Sequence, residues 1–413
     1  AYEDVARLFV EETGRAPDVI FDSFDREPLA TASIGQVHVA RLDGRKLAVK
    51  VHRPNVDHEF AGDIRLMSAL LGVIKKLHLG FLYWMIEPLE EFVAWTREEL
   101  DYRSEARYLD QMRRNAADSP HERIPEVLLE HTTPRILVTE FLEGVTVLDH
   151  LRSLEAGDEV MSRRLRSGAF DPDRFARHII NNFLTDAYWH GLFHADLHRA
   201  NLMILPQNVV GYIDFGITGV LSRFSRQNLV ALTLAYTRGD LEGMAGAFLR
   251  GAALGANADE TAFREGLSAL SSSWYETGGQ ERRVRKSFTL VMLDMLRLSR
   301  QTDVWPERDV IKYIRSAIAI DGLIKRFAPG FNVARHLEAV CDRYLRWEMR
   351  RALLSYDSLI NWSNASTALV RDGVFRAARV IQRFAEGDWP GSGQGQRRGA
   401  ARQRRFTGRA AFL

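Results

Sequence analysis

The stretch that decides the fold reads His194-Ala195-Asp196-Leu197-His198-Arg199-Ala200-Asn201 and, 18 positions after its Asp (196 to 214), Asp214-Phe215-Gly216. Between these motifs, the apolar runs 202–205 and 209–213 flank the turn residues Pro206-Gln207-Asn208. This pattern predicts a β-hairpin. Because the two ends of a hairpin meet, we expect Asn201 and Asp214 to lie close enough to share one ion.

The spacing of this stretch is that of protein-kinase active sites. There, an Asp orients the attacking hydroxyl group, and an Asn together with the D-F-G Asp holds magnesium on the phosphates of ATP. We therefore predict Asp196 as a catalytic residue and Asn201 and Asp214 as ligands of Mg²⁺, with ATP as the cofactor. A zinc pair of His194 and His198 on one helix is the alternative. Zinc would need a Glu beside the first His and a third ligand, and neither is evident.

A strand upstream carries a candidate phosphate-binding lysine. Leu47-Ala48-Val49-Lys50 resembles the V-A-I-K strand of kinases. The alternating segment 37–41 predicts a preceding strand, and Asp43-Gly44 is a tight-hairpin signal that joins the two. We predict Lys50 as the phosphate lysine and Val37 and Ala48 as further nucleotide contacts. An edge lysine whose stem covers apolar surface is the alternative for Lys50.

A kinase lysine also needs a glutamate from a helix, and the helical pattern of 87–115 offers Glu98, Glu99 and Glu105. Further strands are predicted at 127–130 and 135–140. The second of these continues through 138–144 into a hinge between two lobes. In that hinge, the backbone groups of Glu140 and Leu142 are placed to bind adenine.

The nucleotide loop departs from the kinase pattern G-x-G-x-x-G, because the chain has Ala30-Thr31-Ala32-Ser33-Ile34-Gly35 at that point. Glycine is used there since it reaches positive φ and lets backbone N–H groups approach phosphate closely. Each alanine restricts both. We expect the backbone of this loop to cover the phosphates and the γ-phosphate to be held differently from that in ordinary kinases.

These motifs resemble the UbiB/AarF/ADCK family of atypical kinases. The family loop P-L-A-x-A-S-I-G-Q-V-H is reproduced in full from Pro28 to His38, and its E-L-D-Y-x-x-E-A motif appears from Glu99 to Ala106. The family catalytic loop H-A-D-P-H-P-G-N is matched except at Leu197, Arg199 and Ala200. The resemblance extends from about residue 5 to about residue 345.

The resemblance implies an α+β, protein-kinase-like two-lobe fold with a mixed β-sheet in the N-terminal lobe and extra C-terminal helices. It makes Glu105 the ion-pair partner of Lys50. It also makes Glu99 and Asp101 regulatory carboxylates that face an N-terminal K-x-G-Q segment. No K-x-G-Q occurs in this chain, which opens on Ala1, so we expect an incomplete N-terminus. The expected divisions are an N-lobe, a C-lobe, C-terminal helices and a disordered basic tail, at 1–143, 144–345, 346–390 and 391–413.

The implied function is binding of Mg–ATP between the lobes, followed by hydrolysis or transfer of the γ-phosphate, in support of ubiquinone or related isoprenoid-lipid biosynthesis. The expected partners are an isoprenoid-quinone lipid or membrane surface and proteins of quinone biosynthesis. A nucleotide-sensing pseudokinase scaffold is one alternative. A small-molecule phosphotransferase of the aminoglycoside type is another, although it gives no reason for the alanine-rich loop.

Composition indicates a globular protein of a reducing compartment. The chain has 413 residues, a net charge of +2 and one cysteine, Cys341, which excludes a disulfide framework and which we expect to be buried in a helix. We expect a cytoplasmic location and no transmembrane helix, because no run of 18 apolar residues is present. The resemblance to a family that acts on isoprenoid-quinone lipids implies a peripheral position on the inner membrane. The segment 69–95 predicts an amphipathic helix pair whose aromatic face at 81–85 is either core or a lipid or partner contact.

The C-terminal half is predicted to be mostly helical from Gly216 to about Arg383, with a helix that begins near Ser222. No long Ser/Thr-bearing activation loop follows Asp214-Phe215-Gly216, so phosphorylation switching of the usual kind is not expected. The basic tail is either solvated or an electrostatic contact for anionic lipid or, weakly, for nucleic acid. We expect no specific nucleic-acid binding.

Overall fold

The computed structural model describes residues 2–31, 34–53, 56–77, 100–275 and 287–353, together with residues 86, 89, 90 and 93. The chain divides into two compact units, Ala1–Leu345 and Arg346–Leu413. The predictions for 81–85, for Glu98 and Glu99, and for most of 346–390 and all of 391–413 lie outside the described residues.

The N-terminal lobe is formed by an antiparallel β-sheet, not by the mixed sheet that was expected. Its order is β1-β3-β4-β6, and β2 pairs with β3. The five strands are Ser23–Phe24 (β1), Ala30–Thr31 (β2), Gly35–Leu42 (β3), Arg45–His52 (β4) and Ile136–Glu140 (β6). The β3–β4 hairpin turns at Asp43 and Gly44, with φ of 49° and 74°. This left-handed pair matches the twist of the strands, as the sequence signal predicted.

Helices pack on both sides of this sheet. Helix α1 (Tyr2–Thr13) buries Val5, Leu8 and Phe9 against alternate residues of β4, because Leu47, Val49 and Val51 all point to that side. Short helix α2 (Pro17–Ile20) follows. Long helix α3 (Val56–Lys76) and helix α4 (Tyr102–Asn115) come after β4. A second apolar cluster contains Val56, Tyr102, Ala106 and Leu137, and thereby packs α4 against β6.

Helices dominate the C-terminal lobe. Most begin at a side-chain N-cap that accepts a backbone N–H, for example Thr146, Asp171 and Ser222. The helices are Val147–Ala156 (α5), Glu159–Ser167 (α6), Pro172–Thr185 (α7), Arg223–Arg238 (α8), Leu241–Arg250 (α9), Glu260–Ser271 (α10), Phe288–Gln301 (α11), Arg308–Phe327 (α12) and Val333–Leu353 (α13). Cys341 is fully buried in α13.

Three small sheets complete this lobe. The first has the order β5-β10-β9-β7, the second pairs β8 with β11, and the third pairs β12 with β13. The strands are Glu122–Arg123 (β5), Val145–Thr146 (β7), Leu192–His194 (β8), Leu202–Ile204 (β9), Val210–Tyr212 (β10), Thr218–Val220 (β11), Ala252–Leu254 (β12) and Val304–Pro306 (β13). Within the described part of the chain, no helix combines the length and apolar composition that crossing a bilayer requires.

The predicted strand at 127–130 is wrong. Val127 makes a single bridge to Thr139, and Leu129–His131 forms a 3₁₀ turn. The turn is closed by the hydroxyl of Thr132, which donates to the carbonyl oxygen of Leu128 at 2.9 Å. Leu128 is buried, but the segment is not extended, because local side-chain hydrogen bonds compete with strand pairing.

A pair of carboxyl groups lies beneath the β9–β10 hairpin. Glu122 is the β5 residue in register with Val210, and its carboxyl group interacts with that of Asp186, which begins the π-helical turn Asp186–His190. Burial raises the pKa of Glu122 to about 7 and raises the pKa of Asp186 well above its ordinary value. The folded chain therefore holds more protons than the unfolded chain between about pH 4.5 and pH 7.

We expect stability to fall as pH rises through this window, because the folded state must give up a proton that it binds more tightly. Between pH 5 and pH 8, the raised pKa should lower the free energy of unfolding by roughly 1 to 3 kcal/mol. The Glu122→Gln variant should lack this pH-dependent change. Urea unfolding at the two pH values measures it, with the exposed Glu130→Gln as the control. An unchanged pH slope in Glu122→Gln would contradict the assignment.

Candidate active site

A buried lysine joins the two lobes. Lys50 lies on β4, and its Nζ donates to both carboxylate oxygens of Glu105, at 2.9 and 3.1 Å. The same amine is 3.4 Å from Oδ1 of Asp214. Only 15% of the Lys50 side chain and 7% of the Glu105 side chain are exposed. The edge-lysine alternative is therefore wrong, since the amine points inward to two carboxylates.

Helix α4 places Glu105 at this point. The helix starts at Tyr102 because the side chain of Asp101 caps it, accepting the backbone N–H of Arg103 at 3.0 Å. Glu105 then lies in the first turn, where a negative charge is favoured by the helix dipole. Its Oε1 also accepts the backbone N–H of Phe215 at 3.2 Å. One carboxylate thus ties the Lys50 strand to the D-F-G segment.

The charges of this cluster depend on one another. Burial alone would lower the pKa of Lys50, but the carboxylates of Glu105 and Asp214 raise it above its ordinary value. Burial raises the pKa of Glu105 against the opposing effect of the Lys50 ammonium. Burial would also raise the pKa of Asp214, yet Lys50 and the backbone N–H of Gly216 hold it below its usual range. Asp214 is therefore a carboxylate at neutral pH.

The catalytic loop is held by its own backbone. Strand β8 ends at His194, whose Nδ1 accepts the N–H of Asp196 at 3.1 Å. The carbonyl oxygen of Asp196 accepts the side-chain Nδ2 of Asn201 at 3.2 Å and the N–H of His198 at 2.9 Å. Because the amide nitrogen of Asn201 is used in this way, its side-chain oxygen is the atom left to accept other contacts.

The zinc alternative fails on this geometry. His194 ends a strand and His198 lies in a loop, so the two do not share a helix face. Nδ1 of His194 is occupied by the Asp196 N–H. In the described ranges, no group of three His, Cys, Asp or Glu residues is arranged to hold a metal.

The β9–β10 hairpin brings the remaining groups together. Leu202 pairs with Tyr212, and the N–H of Ile213 donates to the carbonyl oxygen of Asn201 at 3.2 Å. Asn201 and Asp214 therefore flank the open end of the hairpin. They face a cavity of about 380 Å³. The cavity is lined by Ala30, Thr31, Val37, Lys50, His194, Asp196, His198, Ala200, Asn201, Ile213, Asp214, Gly216 and Ile217.

The alanine-rich loop forms one wall of this cavity through Ala30, Thr31 and Val37. Ala30 pairs with Val37 across β2 and β3, while Ala32 and Ser33 lie outside the described residues. Ile34 is buried in the cluster that contains Tyr102, so its side chain does not line the cavity. Its predicted role, and those of Ala32 and Ser33, stay predictions about the loop backbone.

Residue 35 must be glycine because there is no space for a Cβ atom, and not because its backbone needs a positive φ. A Cβ atom on Gly35 would lie 2.5 Å from the hydroxyl of Tyr102 and 2.8 Å from the carbonyl oxygen of Val51. Both distances are too short for any side chain. The base of the nucleotide loop therefore lies directly against helix α4.

The other predicted contacts, Ala48, Glu140 and Leu142, are not among the residues that line this cavity. Ala48 pairs with Thr139 between β4 and β6, and Glu140 ends β6 beside it. Glu140 also forms an ion pair with Arg123, at 2.5 Å. Leu142 is buried two residues farther along the segment that connects the lobes. Their adenine contacts stay predictions. Asp101 acts here as a helix cap, and a regulatory role for Asp101 or Glu99 also stays a prediction.

Sequence reasoning missed three residues that hold the site. Tyr102 places its ring 5.1 Å from the Lys50 amine, in a cation–π contact. On α12, Lys312 donates to the carbonyl oxygen of Thr218 at 3.0 Å, and Ser316 donates to that of His194 at 3.3 Å. These two bonds hold the paired strands β8 and β11 against helix α12. Tyr102 belongs to the E-L-D-Y motif, but nothing near Lys312 or Ser316 signals their contacts.

The fold and the cavity between its lobes are those of a protein-kinase-like protein. Residues 1–248 match the ABC1 atypical kinase-like domain, and the chain belongs to this family. The predicted two-lobe fold and the resemblance to the UbiB group are thereby confirmed.

Two comparisons describe the relatives. The probable protein kinase UbiB of Cellvibrio japonicus (strain Ueda107) is 27% identical over 348 residues, which cover 82% of this chain and 60% of that protein. The aligned part thus spans less than two thirds of the relative. The solved complex of Rv3197 with erythromycin from Mycobacterium tuberculosis is 22% identical, covering 80% of this chain and 84% of that chain, with a TM-score of 0.49.

Proposed function

We propose that the chain binds Mg–ATP between its lobes and hydrolyses it or transfers its γ-phosphate. The observation that carries this proposal is that Lys50, Asp196, Asn201 and Asp214 all line one cavity of about 380 Å³. That volume lies within the range of small-molecule sites. The four side chains come from three segments, namely strand β4 of the N-terminal lobe and the catalytic loop and D-F-G segment of the C-terminal lobe, so their meeting is a property of the fold.

The residues fit a magnesium nucleotide. Asp214 is ionised and Asn201 offers an amide oxygen, and such hard oxygen ligands suit Mg²⁺. Bound Mg²⁺ would neutralise charge on the phosphates. Lys50 keeps its positive charge and binds phosphate oxygens, while Glu105 fixes the direction of its amine. The backbone of the alanine-rich loop covers the phosphates, and Glu140 and Leu142 meet adenine.

Asp196 orients the attacking water or hydroxyl group. Its side chain is 41% exposed, so it is accessible from the cavity. Its backbone carbonyl is fixed by the amide of Asn201. The proposed base and the proposed metal ligand are therefore held at a constant separation, which keeps the nucleophile aligned with the phosphate.

The biological setting follows from the family and from the name of the UbiB relative. We place the activity in the biosynthesis or handling of ubiquinone or a related isoprenoid lipid. The partners in this proposal are quinone-pathway proteins and a membrane surface, with the chain peripheral on it. The acceptor is water, a protein or a small molecule.

A magnesium-dependent ATP turnover assay tests the function. Phosphate release by purified protein is measured with Mg²⁺ and with EDTA, each with and without anionic liposomes and a quinone-precursor phenol. We expect turnover that requires Mg²⁺ and is lost in Asp214→Asn. Absence of turnover in every condition, together with absence of ATP binding, would overturn the proposal.

The alanine-rich loop should set nucleotide preference. Ala30 lines the cavity, and glycine there lets the backbone reach conformations that alanine restricts. We expect Ala30→Gly to change the ratio of ATP to ADP affinity by about 2- to 5-fold. Titration calorimetry with both nucleotides measures it, and Ala253→Gly, on an exposed position of β12, is the matched control. Identical affinity ratios in wild type and Ala30→Gly would refute this role for alanine.

A further inference from the structure

Helix α3 has an exposed apolar face in addition to a buried one. Its residues Leu71 and Ile74 are buried. Four other apolar side chains of the same segment are between 40% and 71% exposed, namely Leu66, Leu70, Val73 and Leu77. The outer face of a surface helix is normally polar. The exposed apolar side chains of α3 therefore indicate a contact that the described residues do not supply.

These four residues, which we call the α3 stripe, form one continuous surface. They recur at steps of four, three and four positions, which places them on the same side of an α-helix. Leu77 follows the last residue of α3, and its N–H donates to the carbonyl oxygen of Val73 at 2.9 Å, so the helical course continues to it. At 1.5 Å per residue, the stripe is about 16 Å long. Single exposed apolar side chains are normal, but a contiguous patch marks a site of interaction with a protein or a membrane.

The charges of α3 that border the stripe are positive. The acidic residues of α3 end at Asp63, so the half of the helix that carries the stripe has none. Arg65 and Lys76 are both exposed, and they flank the same edge of the stripe because positions 65 and 76 are separated by close to three full turns. Lys75 lies on another face, since it is two positions from its neighbours in the stripe, and it pairs with Glu90. The stripe thus combines apolar side chains with a basic edge.

We propose that the α3 stripe is a docking surface for an anionic lipid bilayer. A helix that lies in the plane of a bilayer buries its apolar side chains at the boundary between headgroups and acyl chains, and its cations contact the anionic headgroups. The stripe and its basic edge offer both contacts. A second copy of this chain fits less well, because a two-fold contact would bring the positive edges of both copies together. The proposal names the surface for the membrane contact of the proposed function, and in this point it rests on that function.

Binding of the full chain to lipid vesicles tests the proposal. Co-sedimentation is measured with vesicles of phosphatidylcholine alone and of phosphatidylcholine mixed equally with phosphatidylglycerol, and we expect the wild type to prefer the mixed vesicles. Leu66→Ser/Leu77→Ser should lower the partition constant for mixed vesicles by about 10- to 100-fold, because two exposed leucines no longer enter the bilayer. Lys76→Gln should lower it by about 3- to 5-fold, and on the mixed vesicles only. Val160→Ser/Leu254→Ser, at exposed apolar positions of α6 and β12, is the matched control and should bind like the wild type.

Three results would overturn the proposal. In the first, Leu66→Ser/Leu77→Ser binds mixed vesicles as tightly as the wild type. In the second, this variant unfolds at a lower urea concentration than the control, which would show that another segment of the same chain covers the stripe. In the third, the wild type is a dimer that the variant dissociates, which would show that a second copy covers it.

Phosphate release distinguishes this proposal from the proposed function. Without vesicles, Leu66→Ser/Leu77→Ser should release phosphate at the wild-type rate, because the stripe is not part of the cavity that contains Lys50. A wild-type chain that binds mixed vesicles through the stripe but neither binds nor turns over ATP would overturn the proposed function and leave the docking surface in place.

Discussion

Asp196→Asn is expected to lower ATP turnover by about 10²- to 10⁴-fold, the usual contribution of a positioned general base. The carboxylate lines the cavity, and the backbone of the same residue is held by Asn201 and His198. Asparagine has nearly the same shape and keeps these backbone bonds. The loss should therefore appear in kcat, with ATP affinity largely unchanged.

Phosphate release at saturating Mg–ATP measures this effect. Asp173→Asn, an exposed residue in the first turn of α7, is the matched control and should retain wild-type turnover. The comparison also separates the enzyme from the pseudokinase scaffold, because a protein that only senses nucleotide has no need of Asp196. Equal rates in wild type and Asp196→Asn would favour the scaffold.

Glu105→Ala is expected to lower the free energy of unfolding by about 3 kcal/mol and to remove most ATP turnover. Deleting one partner of a buried ion pair leaves the other charge uncompensated, at a cost of roughly 3–5 kcal/mol. Asp214 lies 3.4 Å from the Lys50 amine and compensates in part, so we expect the lower end of that range. The N–H of Phe215 also loses its acceptor, which loosens the D-F-G segment.

A second variant distinguishes stability from activity. In Lys50→Met/Glu105→Leu, both charges are replaced by apolar groups, and such replacements often restore stability. We expect this double variant to be more stable than Glu105→Ala, although Asp214 then lacks its ammonium partner, and yet to lack turnover, because no amine remains to bind phosphate. The exposed pair Arg264–Glu242 supplies the control, since Glu242→Ala should change stability by less than about 1 kcal/mol. A fully stable and active Glu105→Ala would contradict the account.

The catalytic stretch could be predicted because its geometry is local. Asn201 and Asp214 meet through one hairpin, and its register follows from apolar runs and a short turn between them. The Asp43-Gly44 turn could be predicted equally well, since two residues in left-handed conformation determine how β3 and β4 pair. In each case, the residues that determine the structure are within a few positions of one another.

The sequence by itself thus determined the kinase-like class, the Lys50 strand and the residues around the hairpin. Only the tertiary structure decided which neighbours complete the site. Lys312 reaches the carbonyl oxygen of Thr218 across 94 positions, and Ser316 reaches that of His194 across 122. Such contacts depend on how whole helices pack, and packing leaves no periodic signal in the sequence near either partner. For the same reason, the close approach of the Tyr102 hydroxyl and the Val51 carbonyl oxygen, and not a backbone angle, explains why residue 35 is glycine.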